Sequence, residues 1–259
     1  MKNLYALKSY IKHLFNAKNT KGHGIHSPYL YRFTQNAIYE KNPFYIFSKV
    51  EALRENLRFD DRTVLLEDFE AGTEREVKVR DIAKTSLKNK RWAQLLYRVV
   101  NFTDAKNVLE LGTSLGLTSS YLASPSSVER CITLEGSRQV TEIASENFEK
   151  LEIDNIEVVV GDIDQTLKTA LSEVETLDVV FFDANHRKEP VLQYFSQCIK
   201  HIHPETVFIF DDIHGSHDME KAWSQIRRHP QVTATIDLFE VGIVFFNKSY
   251  PKKTFRMIL

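Results

Sequence analysis

Leu4, Leu7, Ile11, Leu14 and Phe15 recur at helical spacing and predict an amphipathic helix over about 3–17. Such a helix has to dock on something: the body of the chain, a second copy or, less consistently with its short apolar face without Trp, a membrane surface. Pro28 behind Ser27 suits a helix start with Ser27 as its cap. From Lys49 to Arg91 charges of both signs interleave, which predicts an exposed helix over 49–58 and two short extended segments over 63–79 around a turn at Ala71-Gly72. Asp81 is a candidate cap for a helix reaching Leu87, and Trp92, Leu95, Leu96 and Val99 mark one side of a helix over 91–102.

After residue 102 the pattern changes. Short apolar runs at 107–111, 130–134, 156–160, 177–182 and 206–210 alternate with helical segments, the last over 217–229. Repeated βα units require a parallel sheet with helices on both faces, a doubly wound α/β fold. Two further runs, 233–239 and 242–247, are separated by too few residues for a crossover, so they predict a C-terminal antiparallel hairpin and a seven-stranded, mostly parallel sheet. The expected organisation is a mainly helical N-terminal cap or appendage over 1–102 and an α/β domain over 103–259.

Composition narrows the class only modestly. With 259 residues, 42% hydrophobic and 27% charged, the chain can bury a sizeable core, and a net charge of −1 gives no global pull toward nucleic acid or membrane. The first 39 residues nevertheless carry Lys2, Lys8, Lys12, Lys18, Lys21 and Arg32 with no acid, a basic arm that reads as a solvated helix face or as a holder of a polyanion such as RNA. Cys131 and Cys198 sit in apolar segments without metal-ligand spacing, as buried thiols in a reducing compartment would. No apolar run is long enough to span a membrane and no secretory signal is evident, so the expected location is cytoplasmic. His23 and His26, framed by glycines and Pro28, are candidates for metal binding or proton handling, or simply loop histidines satisfied by backbone. The dense aromatics from Tyr29 to Phe47 read as packing, or as a cap over a planar substrate.

The stretch NVLELGTSLGLTSSYLA, 107–123, reads as a buried strand, a glycine turn and a helix start, a candidate nucleotide or nucleoside site. Its G-x-x-x-G spacing is neither the dinucleotide fingerprint nor a phosphate loop. A second pattern is stronger. Glu110, Glu135, Asp162, Asp183 and the pair Asp211-Asp212 stand at or beside the C-terminal ends of the expected parallel strands, where ligands of open α/β sheets bind. Helix capping explains one or two of them but not all. Glu135, after the second strand of the α/β body, is placed for the ribose hydroxyls of a nucleoside, and Asp183, Asp211 and Asp212 offer hard oxygen ligands suited to Mg²⁺ or Ca²⁺.

The order ELGxxxG, LEG, GD, FFDA and FIFDD, closed by a hairpin, resembles a class I S-adenosylmethionine-dependent methyltransferase with a Rossmann-like sheet, nearest to the catechol and caffeoyl-CoA type of metal-dependent O-methyltransferases. HGIHSPYLYRF and DDIHGSHDMEKAW are similar to an uncharacterised bacterial branch of that superfamily. The resemblance implies S-adenosylmethionine, with Gly112 and Gly116 beneath its methionine portion, Thr118 near its carboxylate, Glu110 supporting the turn, Glu135 on the ribose and Asp162 at the adenine amino group. It implies Asp183, Asp211 and Asp212 at the metal positions, and it counts Asp183 among the cofactor-binding and catalytic residues as well. Two departures stand out: Asp-Asp replaces the subgroup's usual Asp-Asn, and His186 stands where a lysine base is common.

The expected chemistry is transfer of a methyl group to a small hydroxylated acceptor, with aromatic ones among the candidates, Mg²⁺ lowering the hydroxyl pKa and His186 or His214 taking the proton. Competing readings are an RNA-modifying methyltransferase using the basic arm and a non-catalytic nucleoside binder or scaffold, with a homodimer expected through the first helix. An NAD-dependent oxidoreductase is disfavoured by the glycine spacing.

Overall fold

The computed structural model of the chain describes residues 2–69 and 72–259, so Ala71 of the expected turn lies outside the described residues. The chain folds as two compact units, Met1–Glu40 with Glu175–Leu259, and Lys41–Val174.

Helix α1, Lys2–Asn16, forms where the periodicity placed it, yet it docks through an unexpected side. His13 is buried, whereas Leu7, Ile11, Leu14 and Phe15 remain exposed, Phe15 by 82%. Helix α2, Pro28–Phe33, starts at Ser27, whose Oγ accepts from the Leu30 amide, and runs on as a wider helical turn over Thr34–Ile38. Leu30, Phe33, Ala37 and Ile38 along it are buried.

In the Lys41–Val174 unit, α3 (Tyr45–Leu57) precedes a hairpin of β1 (Thr63–Asp68) and β2 (Thr73–Lys78), then α4 (Val79–Thr85) and α5 (Lys90–Phe102). Lys78 occupies the N-cap of α4, and Asp81 falls inside its first turn, where a carboxylate still meets the positive end of the helix dipole. Strands β3 (Asn107–Leu111), β4 (Arg130–Glu135) and β5 (Ile156–Val160) pair in parallel, with α6 (Leu117–Ala123), α7 (Arg138–Leu151) and α8 (Ile163–Ser172) following them in turn. The apolar faces of α3, α4 and α5 meet those of α6 and α7 in one core containing Val50, Leu53, Ile82, Tyr97, Tyr121 and Val140.

In the other unit, β6 (Leu177–Phe182), α9 (Lys188–Cys198), β7 (Ile202–Phe210) and α10 (His217–Ile226) continue the alternation. Strands β6 and β7 are parallel, β9 (Gly242–Phe245) runs antiparallel to both β7 and β8 (Ala234–Asp237), and the expected hairpin is therefore present. Sequence periodicity did not anticipate β10 (Lys253–Arg256), which pairs in parallel with β8 and brings Phe255 opposite Ile236. The same tail grips the N-terminal segment: the Asn19 amide donates to the Arg256 carbonyl at 2.9 Å, and Tyr39 Oη donates to the Ile258 carbonyl at 2.6 Å. Each unit thus carries parallel βα elements, with antiparallel pairing confined to the β1–β2 hairpin and to β9 between β7 and β8, an α/β architecture of the expected kind. No helix among the described residues is long and apolar enough to cross a membrane.

Candidate active site

The glycine turn is built by backbone that side chains resist. Gly112 and Gly116 have φ of +103° and +79°, and Ser114 shares the left-handed region at +48°. A Cβ on Gly116 would lie 2.5 Å from the Phe148 ring, so packing against α7 as well as the turn demands glycine there. The amides of Gly112 and Thr113 donate to the Leu134 carbonyl, which fixes the turn to the end of β4.

Two carboxylates frame this turn. Glu110 is fully buried, and its Oε2 accepts hydrogen bonds from Thr133 Oγ1 at 2.7 Å and from Ser119 Oγ. Among the described residues Oε1 has no hydrogen-bond partner, and burial pushes the carboxyl up to about 8, against the two hydroxyl donors that favour its ionised form. Glu110 therefore stitches β3 to β4 and α6 from inside the protein. Glu135, the last residue of β4, accepts from the Ser114 amide at 2.8 Å and the Ser137 amide at 3.1 Å. Burial raises its pKa, and those amides pull it back. Thr118 is buried in the first turn of α6, and Asp162 caps α8 by accepting from the Asp164 amide at 3.0 Å. In the same unit are two cavities of about 500 and 470 Å³, and none of these residues lines either one.

The second group of acids lies in the other unit. Asp183 follows β6 and Asp211 follows β7, and the two strand ends are tied by the Asp211 amide donating to the Phe182 carbonyl at 3.0 Å. Potential ligand atoms of Asp183, His186 and Asp211 all lie within 4.8 Å of one another, with His186 Nε2 3.7 Å from Asp183 Oδ1. Asp211 is buried and the His186 side chain is 42% exposed, so the cluster opens to solvent on its histidine side. Asp212 is not a member. It is exposed and left-handed at φ +49°, a conformation that turns the chain out of β7. His214, the second candidate base, is directed elsewhere: its Nε2 lies 3.1 Å from Asp237 Oδ2. His23 and His26 are both exposed, and neither belongs to a metal-competent group among the described residues.

Residues 109–213, from β3 to just past β7, match the family model of a methyltransferase domain. A curated relative, the O-methyltransferase imqG of Aspergillus flavus, is 32% identical over 114 residues, covering 42% of this chain and 45% of that protein. The match thus spans less than half of the relative's length. Over these residues the chain is similar to methyltransferase domains, and over part of its length to an O-methyltransferase. Solved structures agree on the fold. The O-methyltransferase of Bacillus cereus in complex with SAH gives a TM-score of 0.56 at 20% identity, over 83% of this chain and 96% of that one. TomG of Streptomyces achromogenes, bound to SAM, gives 0.57 at 19% identity, over 83% and 97%.

Within this stretch, the Ser119 and Thr133 hydroxyls and the Ser114 and Ser137 amides are the partners that the sequence did not reveal. For Ser119 the signal was present as a run of hydroxyl residues, Thr118, Ser119 and Ser120, directly behind the glycine turn. A buried carboxylate one strand away needs such donors.

Proposed function

We propose that the protein is an S-adenosylmethionine-dependent O-methyltransferase acting on a small hydroxylated acceptor with the help of a divalent cation. The observation that carries this reading is Glu135 at the end of β4, braced by the amide of the glycine turn at 2.8 Å. An ionised carboxylate has roughly four lone-pair sites. The Ser114 and Ser137 amides occupy one site on each oxygen, the Gly136 amide adds to them, and acceptor capacity remains for a ribose hydroxyl.

The donors fit both groups. Glu135, Asp162 and the Gly112 to Thr118 turn would hold the nucleoside and its amino-acid tail. Asp183 and Asp211 would hold the cation, and their hard oxygens suit Mg²⁺. S-adenosylmethionine would supply the methyl group from its sulfonium, and the cation would lower the proton affinity of an acceptor hydroxyl. His186, 3.7 Å from Asp183 and open to solvent, would accept that proton and pass it to water. Its exposure is what a base that must exchange protons requires. The buried thiols of Cys131 and Cys198 are in keeping with a cytoplasmic setting.

Calorimetric titration with S-adenosylmethionine tests the reading. Glu135→Gln should weaken binding by about 10- to 100-fold, because hydrogen bonds to a charged group are worth roughly 1.5–3 kcal/mol. Equal affinity in the folded variant would remove Glu135 from the cofactor site. Absence of binding by the native chain would sink the assignment, and salt-sensitive tRNA binding would redirect it to RNA modification.

A further inference from the structure

We propose that His13, His214 and Asp237 form a second metal site, one for a divalent transition ion of the zinc class. None of the three belongs to the cluster assigned above, and all three lie in the same unit. Asp237 Oδ1 is 3.4 Å from His13 Nδ1 and 3.3 Å from His214 Nε2. Zinc bonds of about 2.0–2.1 Å in a tetrahedron place neighbouring ligand atoms about 3.3 Å apart, so the Asp237 oxygen already stands at ligand spacing from both nitrogens, and all three atoms lie within 4.8 Å of one another. The side chains of His13, His214 and Asp237 are only 4%, 14% and 1% exposed, which shields a cation–carboxylate attraction from water.

The outer contacts orient every donor inward. His13 Nε2 meets the Met257 carbonyl at 2.9 Å. A carbonyl oxygen can only accept, so Nε2 carries the hydrogen and, in the neutral ring, Nδ1 turns its lone pair toward Asp237. His214 turns its Nδ1 toward Glu220 at 3.9 Å, and Glu220 in turn accepts from Tyr5 Oη. Asp237 is braced by the Phe239 amide on Oδ1 at 3.2 Å and by Trp223 Nε1 and Arg256 Nε on Oδ2 at 3.4 and 3.8 Å. Backbone carbonyls and carboxylates behind ligand histidines are the outer partners that metal sites use. Phe239 packs against both imidazoles, with centroids 5.5 and 5.4 Å away, and closes one side.

A lone pair of His13 facing a carboxylate oxygen repels it unless a cation lies between them. Two imidazole nitrogens and one oxygen suit zinc or cobalt rather than magnesium. A proton would serve one ring, whereas a metal ion serves both at once and pins α1 to the loop after β7 and to the end of β8.

The test uses the full chain after dialysis against a chelator. Added Co²⁺ should give the intense visible absorption of a four-coordinate ion with nitrogen ligands, and Zn²⁺ alone should abolish it by displacement. His13→Gln and His214→Gln should each lose that spectrum and weaken Zn²⁺ binding by more than about 100-fold, since even an outer partner is worth 10- to 100-fold. Glu220→Gln, which keeps all three ligands, should weaken it by about tenfold, and Asp183→Asn should leave the spectrum unchanged. A native chain without the four-coordinate spectrum overturns the proposal in favour of a buried His13–Asp237 ion pair. So does a spectrum that survives both histidine variants or that vanishes with Asp183→Asn. Should the histidine variants fail to fold, the native spectrum and Glu220→Gln decide.

Discussion

At the scale of single residues, burial displaces the Glu110 carboxyl from its ordinary titration, with a consequence that can be measured. Glu110 sits at about 8 because burial outweighs the Ser119 and Thr133 hydroxyls. Its folded pKa lies above the unfolded value, so the native state binds more protons between about 4.5 and 8 than the unfolded chain. Stability from this group is therefore complete below the unfolded pKa and is lost as pH rises toward 8, with a slope of up to about 1.4 kcal/mol per pH unit. Glu110→Gln should flatten that fall, which denaturant melts at pH 6 and pH 8.5 would register. An undiminished fall in the variant would show that Glu110 is not its source. His186 offers the complementary kinetic measurement. Under the proposed role, His186→Gln should lower kcat by about 10²- to 10⁴-fold. An unchanged kcat would leave the histidine as a bystander beside Asp183.

At the scale of elements, α1 is the segment whose sequence and structure diverge most. Its apolar positions were expected to be the docking side, yet Leu7, Ile11, Leu14 and Phe15 are exposed, while His13 is buried and Tyr5 bonds to Glu220. An amphipathic helix held by its polar residues leaves an apolar stripe free for a second copy, the proposed homodimer. Phe15→Glu should shift sedimentation toward monomer without changing thermal stability by more than about 0.5 kcal/mol, the usual range for exposed positions. An unaltered sedimentation profile would remove Phe15 from any such interface. The strands over 107–182 were readable because parallel strands buried on both faces are written as continuous apolar runs. The acids at their ends were readable because each breaks such a run. Strand β10 was not, since Lys253–Arg256 offers only Phe255 as a core residue between charged neighbours and follows a proline. Nor was the His13–His214–Asp237 group, whose members come from three distant positions. Asp237 alone gave a local hint, a charge inside the apolar strand TIDLF.

At the scale of the whole molecule, a net charge of −1 conceals a basic start, with Lys8, Lys12, Lys18, Lys21 and Arg32 all solvent-exposed. The adjacency of the glycine turn and Glu135 was legible in the sequence because both belong to one βαβ neighbourhood, β3, α6 and β4. Whether Asp211 or Asp212 turns toward Asp183 was not legible, because that depends on the left-handed backbone at Asp212. The acceptor is written in neither motif, as substrate contacts come from loops and appended segments rather than from strand ends.

The pairing of β10 with β8 has a practical corollary for anyone handling the protein. Residues 253–258 supply the backbone that receives Asn19, Thr20, Tyr39 and His13, so the front of the chain is fastened by its rear. A seven-residue truncation after Lys252 should render residues 13–39 sensitive to limited proteolysis while sparing 107–174, and fragment masses would reveal it. Fusions are therefore better tolerated ahead of α1 than grafted onto Leu259, where a bulky neighbour would tug on two distant stretches at once.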